Sequence, residues 1–250
     1  MTKRTLLAFL LAGGVASLAS ASTVTISPIG GGVTLNSGPM GANVWGPDQT
    51  VWSHASIMAA QSQLNSAGIT TEGRVTFLVA DTTHGTAFIT LFDGDEGGQV
   101  PVSMGNLGMV SAAHGSNIAY MNAGANNLTI SNDPPGSQTA SGTVQWNSNG
   151  GGNAFAWGNL ITGNTLTFRF NQIPGEPLGL NDPNTFQFVT WTGSTWATVP
   201  VSSDQLSFTA SGDYGFAAVV QNAQSVPLPT GSAMAGLSLL GLAGVRRRRR

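Results

Sequence analysis

The stretch Thr165-Leu-Thr-Phe-Arg-Phe170 alternates without a break, with Leu166, Phe168 and Phe170 on one side and Arg169 on the other. Side chains of an extended strand point to opposite faces with period two, so this pattern makes a strand with one wet face and one apolar face. Other runs carry the β-branched and aromatic residues that suit a pleated surface: Val75 to Ala80, Thr86 to Phe92, Phe186 to Trp191, Trp196 to Val201, Gln205 to Ala210 and Tyr214 to Val220. Asp81-Thr-Thr-His-Gly85, Thr192-Gly-Ser-Thr195 and Ser211-Gly-Asp213 supply the turns between neighbouring runs. Short strands at this spacing predict an all-β sandwich of jelly-roll type.

One helix is expected near the front of the body. Asp48 is placed to cap its amides, Val51, Ala55, Met58 and Ala59 share a helical face, and Gly68 is placed to end it. Asp133 to Gly142 and Asn147 to Asn153 read as long surface loops by their Gly, Asn, Ser and Pro content. The body is then one β-rich domain over residues 22–225, with two modules meeting near residue 140 as the alternative.

The two ends follow a different logic. Lys3 and Arg4 precede an apolar stretch from Leu6 to Leu18, and Ala19 and Ala21 form an A-x-A site. Those three parts make residues 1–21 a secretory signal peptide, cut between Ala21 and Ser22. The apolar stretch is shorter than the roughly 20 residues that span a bilayer. At the other end, Val226-Pro-Leu-Pro229 and Thr230 are followed by a nearly apolar run from Gly231 to Val245, then by Arg246 to Arg250. Proline at 227 and 229 keeps a helix from starting earlier, and the arginines hold the end of the chain on the cytoplasmic side.

This tripartite tail resembles the PEP-CTERM sorting signal of Gram-negative bacteria, in the variant that begins Val-Pro-Leu-Pro. Val226, Pro227, Leu228 and Pro229 match that start. Leu228 stands where the parent pattern has Glu, and Thr230 where the variant has Ala. The resemblance covers residues 226–250 and implies recognition by an exosortase, a membrane-embedded cysteine transpeptidase that cuts near the proline motif. It also implies transient residence in the membrane through the apolar helix, and delivery to the cell surface or extracellular matrix. A plain C-terminal membrane anchor is the alternative reading of the same residues.

Charge excludes several functions. The chain has 9 Lys+Arg and 11 Asp+Glu, but only Arg74 and Arg169 lie between the basic ends, so the interior sets two basic residues against 11 acidic ones, a formal charge of −9. Two arginines do not form a phosphate-neutralising face, which excludes nucleic acid as a partner. The one lysine is Lys3 and there is no cysteine, which removes lysine phosphate loops, Schiff bases, thiol nucleophiles and disulfides.

Candidate chemistry is sparse. Asp93, Asp95 and Glu96 lie in the glycine-bracketed run Leu91-Phe-Asp-Gly-Asp-Glu-Gly-Gly98, with the hard oxygen ligands that calcium takes. The remaining ligands of a calcium loop are missing, and a solvated turn accounts for the same residues. His84 and His114 each precede a glycine and an apolar run, and His54 has Met58 rather than a ligand at i+4, so no zinc set forms. No G-x-S-x-G occurs, and nothing in the spacing selects a catalytic carboxylate pair. The six tryptophans, with Trp191 and Trp196 flanking a turn, serve either as core or as a stacking platform for sugar rings.

The expectation is an exported, non-catalytic surface or matrix protein with no resident cofactor. Signal peptidase and exosortase are its processing partners, and extracellular polysaccharide is its candidate ligand. A carbohydrate-binding module is the alternative, and a secreted carboxylate-dependent hydrolase comes after it.

Overall fold

The computed structural model describes residues 21–27, 32–40, 54–72, 74–82, 85–92, 105–115, 118–123, 127–132, 136–146, 153–172, 186–200 and 214–223. The strands are β1 (Thr23–Ser27), β2 (Val33–Asn36), β3 (Gly38–Pro39), β4 (Val75–Thr82), β5 (Gly85–Phe92), β6 (Gly105–His114) and β7 (Ala119–Ala123). They continue with β8 (Asn127–Ser131), β9 (Ser137–Trp146), β10 (Asn153–Leu160), β11 (Thr165–Gln172), β12 (Phe186–Trp191), β13 (Trp196–Val199) and β14 (Tyr214–Asn222). The one helix among the described residues, α1, spans His54–Ser66.

Two seven-stranded sheets face each other, as the sandwich prediction requires. The first runs β2-β1-β14-β11-β6-β9-β8, and the second runs β13-β12-β4-β5-β10-β7 with β3 beside β4. Pairing is antiparallel except where β12 and β3 meet β4 in parallel along one edge.

The difference between alternating and continuous apolar runs has a physical cause. β11 alternates because the first sheet has one apolar face: Leu166, Phe168 and Phe170 are buried and Thr167 and Arg169 are exposed. β5 is buried at every position because the second sheet is covered on both faces. Phe77, Phe88 and Phe92 point between the sheets, while Leu78, Ile89 and Leu91 meet Ala60 and Leu64 of α1 on the outside. The inter-sheet layer is largely aromatic. Phe77 lies 4.9 Å from both Phe188 (stacked) and Phe216 (edge-on), and Phe216 stacks on Phe168 at 4.9 Å. Offset and edge-on rings each add about 0.5–1.5 kcal/mol beyond area burial.

Two of the three predicted hairpins form among the described residues. β4 and β5 pair from Val75↔Phe92 to Thr82↔Gly85. Trp191 pairs with Trp196 across a turn closed by the Thr192 N–H donating to Thr195 O. β13 stops at Val199 because Pro200 has no amide hydrogen to extend the ladder. The helix ends as predicted: Gly68 N–H donates to Asn65 O and Ile69 N–H to Leu64 O, with Gly68 at φ +80°. Asp48, Val51, the run Gln205 to Ala210 and the turn Ser211-Gly-Asp213 lie outside the described residues.

Two expectations change. The stretch Asp133 to Gly142 was expected as surface loop, but Ser137 to Gly142 form the first part of β9, hydrogen-bonded to β6 and β8. Its Ser, Thr and Gly residues suit a strand with one solvated face, where Ala140 and Val144 supply buried apolar contact among the described side chains. A division near residue 140 fails for the same reason. Both sheets interleave strands from either side of it, as in the pairing of β5 with β10 and of β6 with β11.

Candidate functional site

Asp93, Asp95, Glu96, His84 and the sorting residues Val226, Pro227, Leu228 and Pro229 lie outside the described residues. Among the described residues, no group of three His, Cys, Asp or Glu side chains is placed to hold a metal, and no helix is long and apolar enough to cross a membrane. His114 is exposed at the end of β6, where its Nδ1 meets Ser137 Oγ.

The tryptophans with described side chains belong to the core. Trp196 is 3% exposed, and Trp191 packs on it edge-on at 5.4 Å. Gly38 passes directly beneath, so close that a Cβ there would lie 2.6 Å from the Trp196 ring. This geometry presents no flat pair to a sugar. Trp157 is fully buried, and its Nε1 donates to Ser111 Oγ at 2.8 Å. The Ser111 hydroxyl donates in turn to Thr167 O at 2.9 Å, which satisfies both buried groups.

The surface that does stand out is the outer face of the first sheet. Strand register sets Thr34, Thr25, Val219, Thr165, His114 and Ser137 in one row across it. Ala217, Thr167, Ala112, Thr139 and Ser131 make the next row. Gly215, Arg169, Val110, Ser141 and Thr129 make the third. No strand of this sheet contains Asp or Glu. Arg169 stands at its middle strand, and Val110 beside it is 45% exposed. A face of hydroxyls and small side chains offers hydrogen-bonding groups over a broad area. Sequence reading located only the β11 part of it, because the rows exist only once register is known.

A second polar cluster was missed entirely. Asp81, at the end of β4, accepts hydrogen bonds from Ser22 Oγ (2.8 Å, to Oδ1) and from Ser37 Oγ (to Oδ2). Thr86 Oγ1 lies 2.7 Å from Ser22 Oγ, and Ser37 N–H donates to Ser22 O. Ser22, Ser37 and Thr86 are buried and Asp81 is partly so. Ser22 and Ser37 lie 59 and 44 residues from Asp81 in sequence, so no local pattern signals the cluster.

Strand direction gives the body two distinct poles. Thr23 pairs with Asn222, so the first and last described strands meet at the pole that holds Ser22 and Asp81. Phe92, Gly105, Trp146, Asn153, Gln172, Phe186 and Tyr214 lie at the other pole, where connections 93–104, 147–152, 173–185 and 201–213 leave and return.

No family model, no curated protein and no solved structure matches the chain.

Proposed function

We propose that this chain is an exported, non-catalytic protein of the cell surface or extracellular matrix, carried out by its signal peptide and sorted through its tail by an exosortase. The observation that carries this reading is the tail itself, with Val226-Pro-Leu-Pro229, an apolar run and five terminal arginines in that order. Two features of the body are in keeping with it. β1 opens at Thr23, directly behind the Ala21–Ser22 bond, and β14 closes at Asn222, shortly before Val226. Their pairing sets Thr23 beside Asn222, so the described strand ends nearest in sequence to the two proposed processing points share one pole.

Cell fractionation of the producing bacterium tests the sorting step. Replacing Pro227 and Pro229 together by Ala should keep the chain in the membrane fraction with its tail attached, while the unaltered chain reaches the surface or medium. Equal release of both forms would contradict exosortase sorting.

The outer face of the first sheet favours a second reading, in which the body binds polysaccharide through threonine and serine hydroxyls rather than through tryptophan. Retention on an insoluble neutral polysaccharide, lost when Ser141 and Thr167 are both replaced by Glu, is the outcome that reading expects. Unchanged retention in the double variant would remove it.

A further inference from the structure

We propose that Asp81 is the receptor for the new N-terminus that export creates, so that cutting the leader locks the first strand onto the second sheet. The inference rests on cleavage between Ala21 and Ser22. Hydrolysis adds water across that amide: Ala21 keeps a carboxylate and leaves, and Ser22 keeps an amine. With an ordinary α-amino pKa of about 7.7–8.0, that amine is mostly protonated at neutral pH.

The geometry places the charge beside its counterion. Ser22 Oγ donates to Asp81 Oδ1 at 2.8 Å, and a serine nitrogen lies within about 3.8 Å of its own Oγ in any rotamer. The two lengths together set an upper bound of about 6.6 Å between the new ammonium and Asp81 Oδ1. Ser22 is fully buried, and Ser37 N–H holds its carbonyl at 2.7 Å, so the residue is already fixed in the pocket before the charge appears. In the uncut chain Asn222 Nδ2 donates to Ala21 O at 3.3 Å, a contact that departs with the leader. The elements around Ser22 supply Ser37, Thr86 and Asn222 besides Asp81, and of these described groups only Asp81 has a carboxylate. His84 lies outside the described residues.

An ammonium held by a carboxylate has its folded pKa raised above the unfolded value. Its stabilisation is fully present below pH of about 8 and is lost as pH rises through the folded pKa.

The test uses the full chain exported under its own signal, with and without two glycines inserted after Ala21, each with Asp81 or Asp81→Asn. Intact mass first establishes that the parent begins at Ser22 and the insertion form two residues earlier. At pH 7 the insertion form should melt about 2–6 °C lower than the parent. Asp81→Asn should lower the parent and erase the difference between the two forms, and the difference should close at alkaline pH. The leader takes away Lys3, the only lysine, so the α-amine is the one primary amine of the processed chain. Reductive 13C-methylation then yields a single NMR signal whose midpoint lies about one unit above the ordinary range in the parent and within it in Asp81→Asn. Should Asp81→Asn fail to fold, the insertion form supplies the unpaired amine for both measurements. Equal melting of parent and insertion form, an unshifted midpoint, or equal loss from Asp81→Asn in both forms would overturn the proposal. A first residue other than Ser22 would overturn it together with the cleavage reading, and the mass distinguishes that failure from the thermal one.

Discussion

Single residues in this protein are constrained by whichever sheet face they occupy. Phe77 contacts rings from both sheets, so Phe77→Ala removes packing that neighbours on rigid strands do not refill. The expected loss is about 3–5 kcal/mol, read from chemical denaturation of the exported chain. Ser111→Ala acts differently: it deletes little volume but leaves Trp157 Nε1 buried with no acceptor, a cost of about 1–3 kcal/mol. Tyr120 provides a pH-dependent case. Burial raises its phenol above the usual 10.0, opposed by a hydrogen bond with Asn122. The stability this contributes is present below pH 10 and is lost as pH rises through the folded pKa, and Tyr120→Phe should remove that alkaline step from the melting curve. At this scale the sequence was readable where a residue acts through its own strand. Leu166, Phe168 and Phe170 followed directly from alternation, whereas the Asp81 cluster joins residues 44 and 59 positions apart and leaves no local trace.

Elements were legible in proportion to their apolar content. β4, β5, β11, β12 and β14 carry aromatic and β-branched runs that identify them. β6, β9 and β10 mix Gly, Ala, Ser and Asn into strands, and tertiary pairing overrides their weak propensity. In β6, a Cβ at Gly108 would first meet the far end of the exposed Asn171 side chain, which can swing aside. The helix shows the same division. Its end at Gly68 was readable because positive φ has a residue signature. Of the face that periodicity selected, Ala59 packs against the buried cluster that Ala60 and Leu64 join, and the side chains of Val51, Ala55 and Met58 lie outside the described ones. A Cβ added at Gly68 would meet only open space, so Gly68→Ala tests conformation alone. It should cost about 1 kcal/mol through the positive φ, and Gly68→Asn should cost less. Gly38→Ala is the converse case, since the added carbon meets the Trp196 ring. That substitution should disturb the near-ultraviolet tryptophan signal as well as stability.

At the scale of the whole molecule, strand direction brings the first and last described strands together at one pole through the β1–β14 pair. Connections 93–104, 147–152, 173–185 and 201–213 attach at the other pole, while Met40, which leads into connection 41–53, lies at the first with its N–H on Asp81 O. The hydroxyl-rich outer face of the first sheet, with Arg169 on its middle strand and no Asp or Glu in its strands, lies between them, on a chain whose interior charge is −9 by sequence. Such a hydroxyl surface stays hydrated without ion pairs, in keeping with the proposed role in a polymer matrix. The fold class was readable from strand patterning. Interleaving of the two sheets was not, because loop lengths and turn residues do not encode which sheet the next strand joins.

Export with cutting at both ends is the centre of this account, and the mass of the intact chain recovered from the cell surface or medium tests it most directly. A species that begins at Ser22 and ends within residues 227–230 is the predicted result, and any added mass identifies what the exosortase has joined to it. A chain that still ends at Arg250 would make the tail an ordinary anchor and contradict the sorting claim.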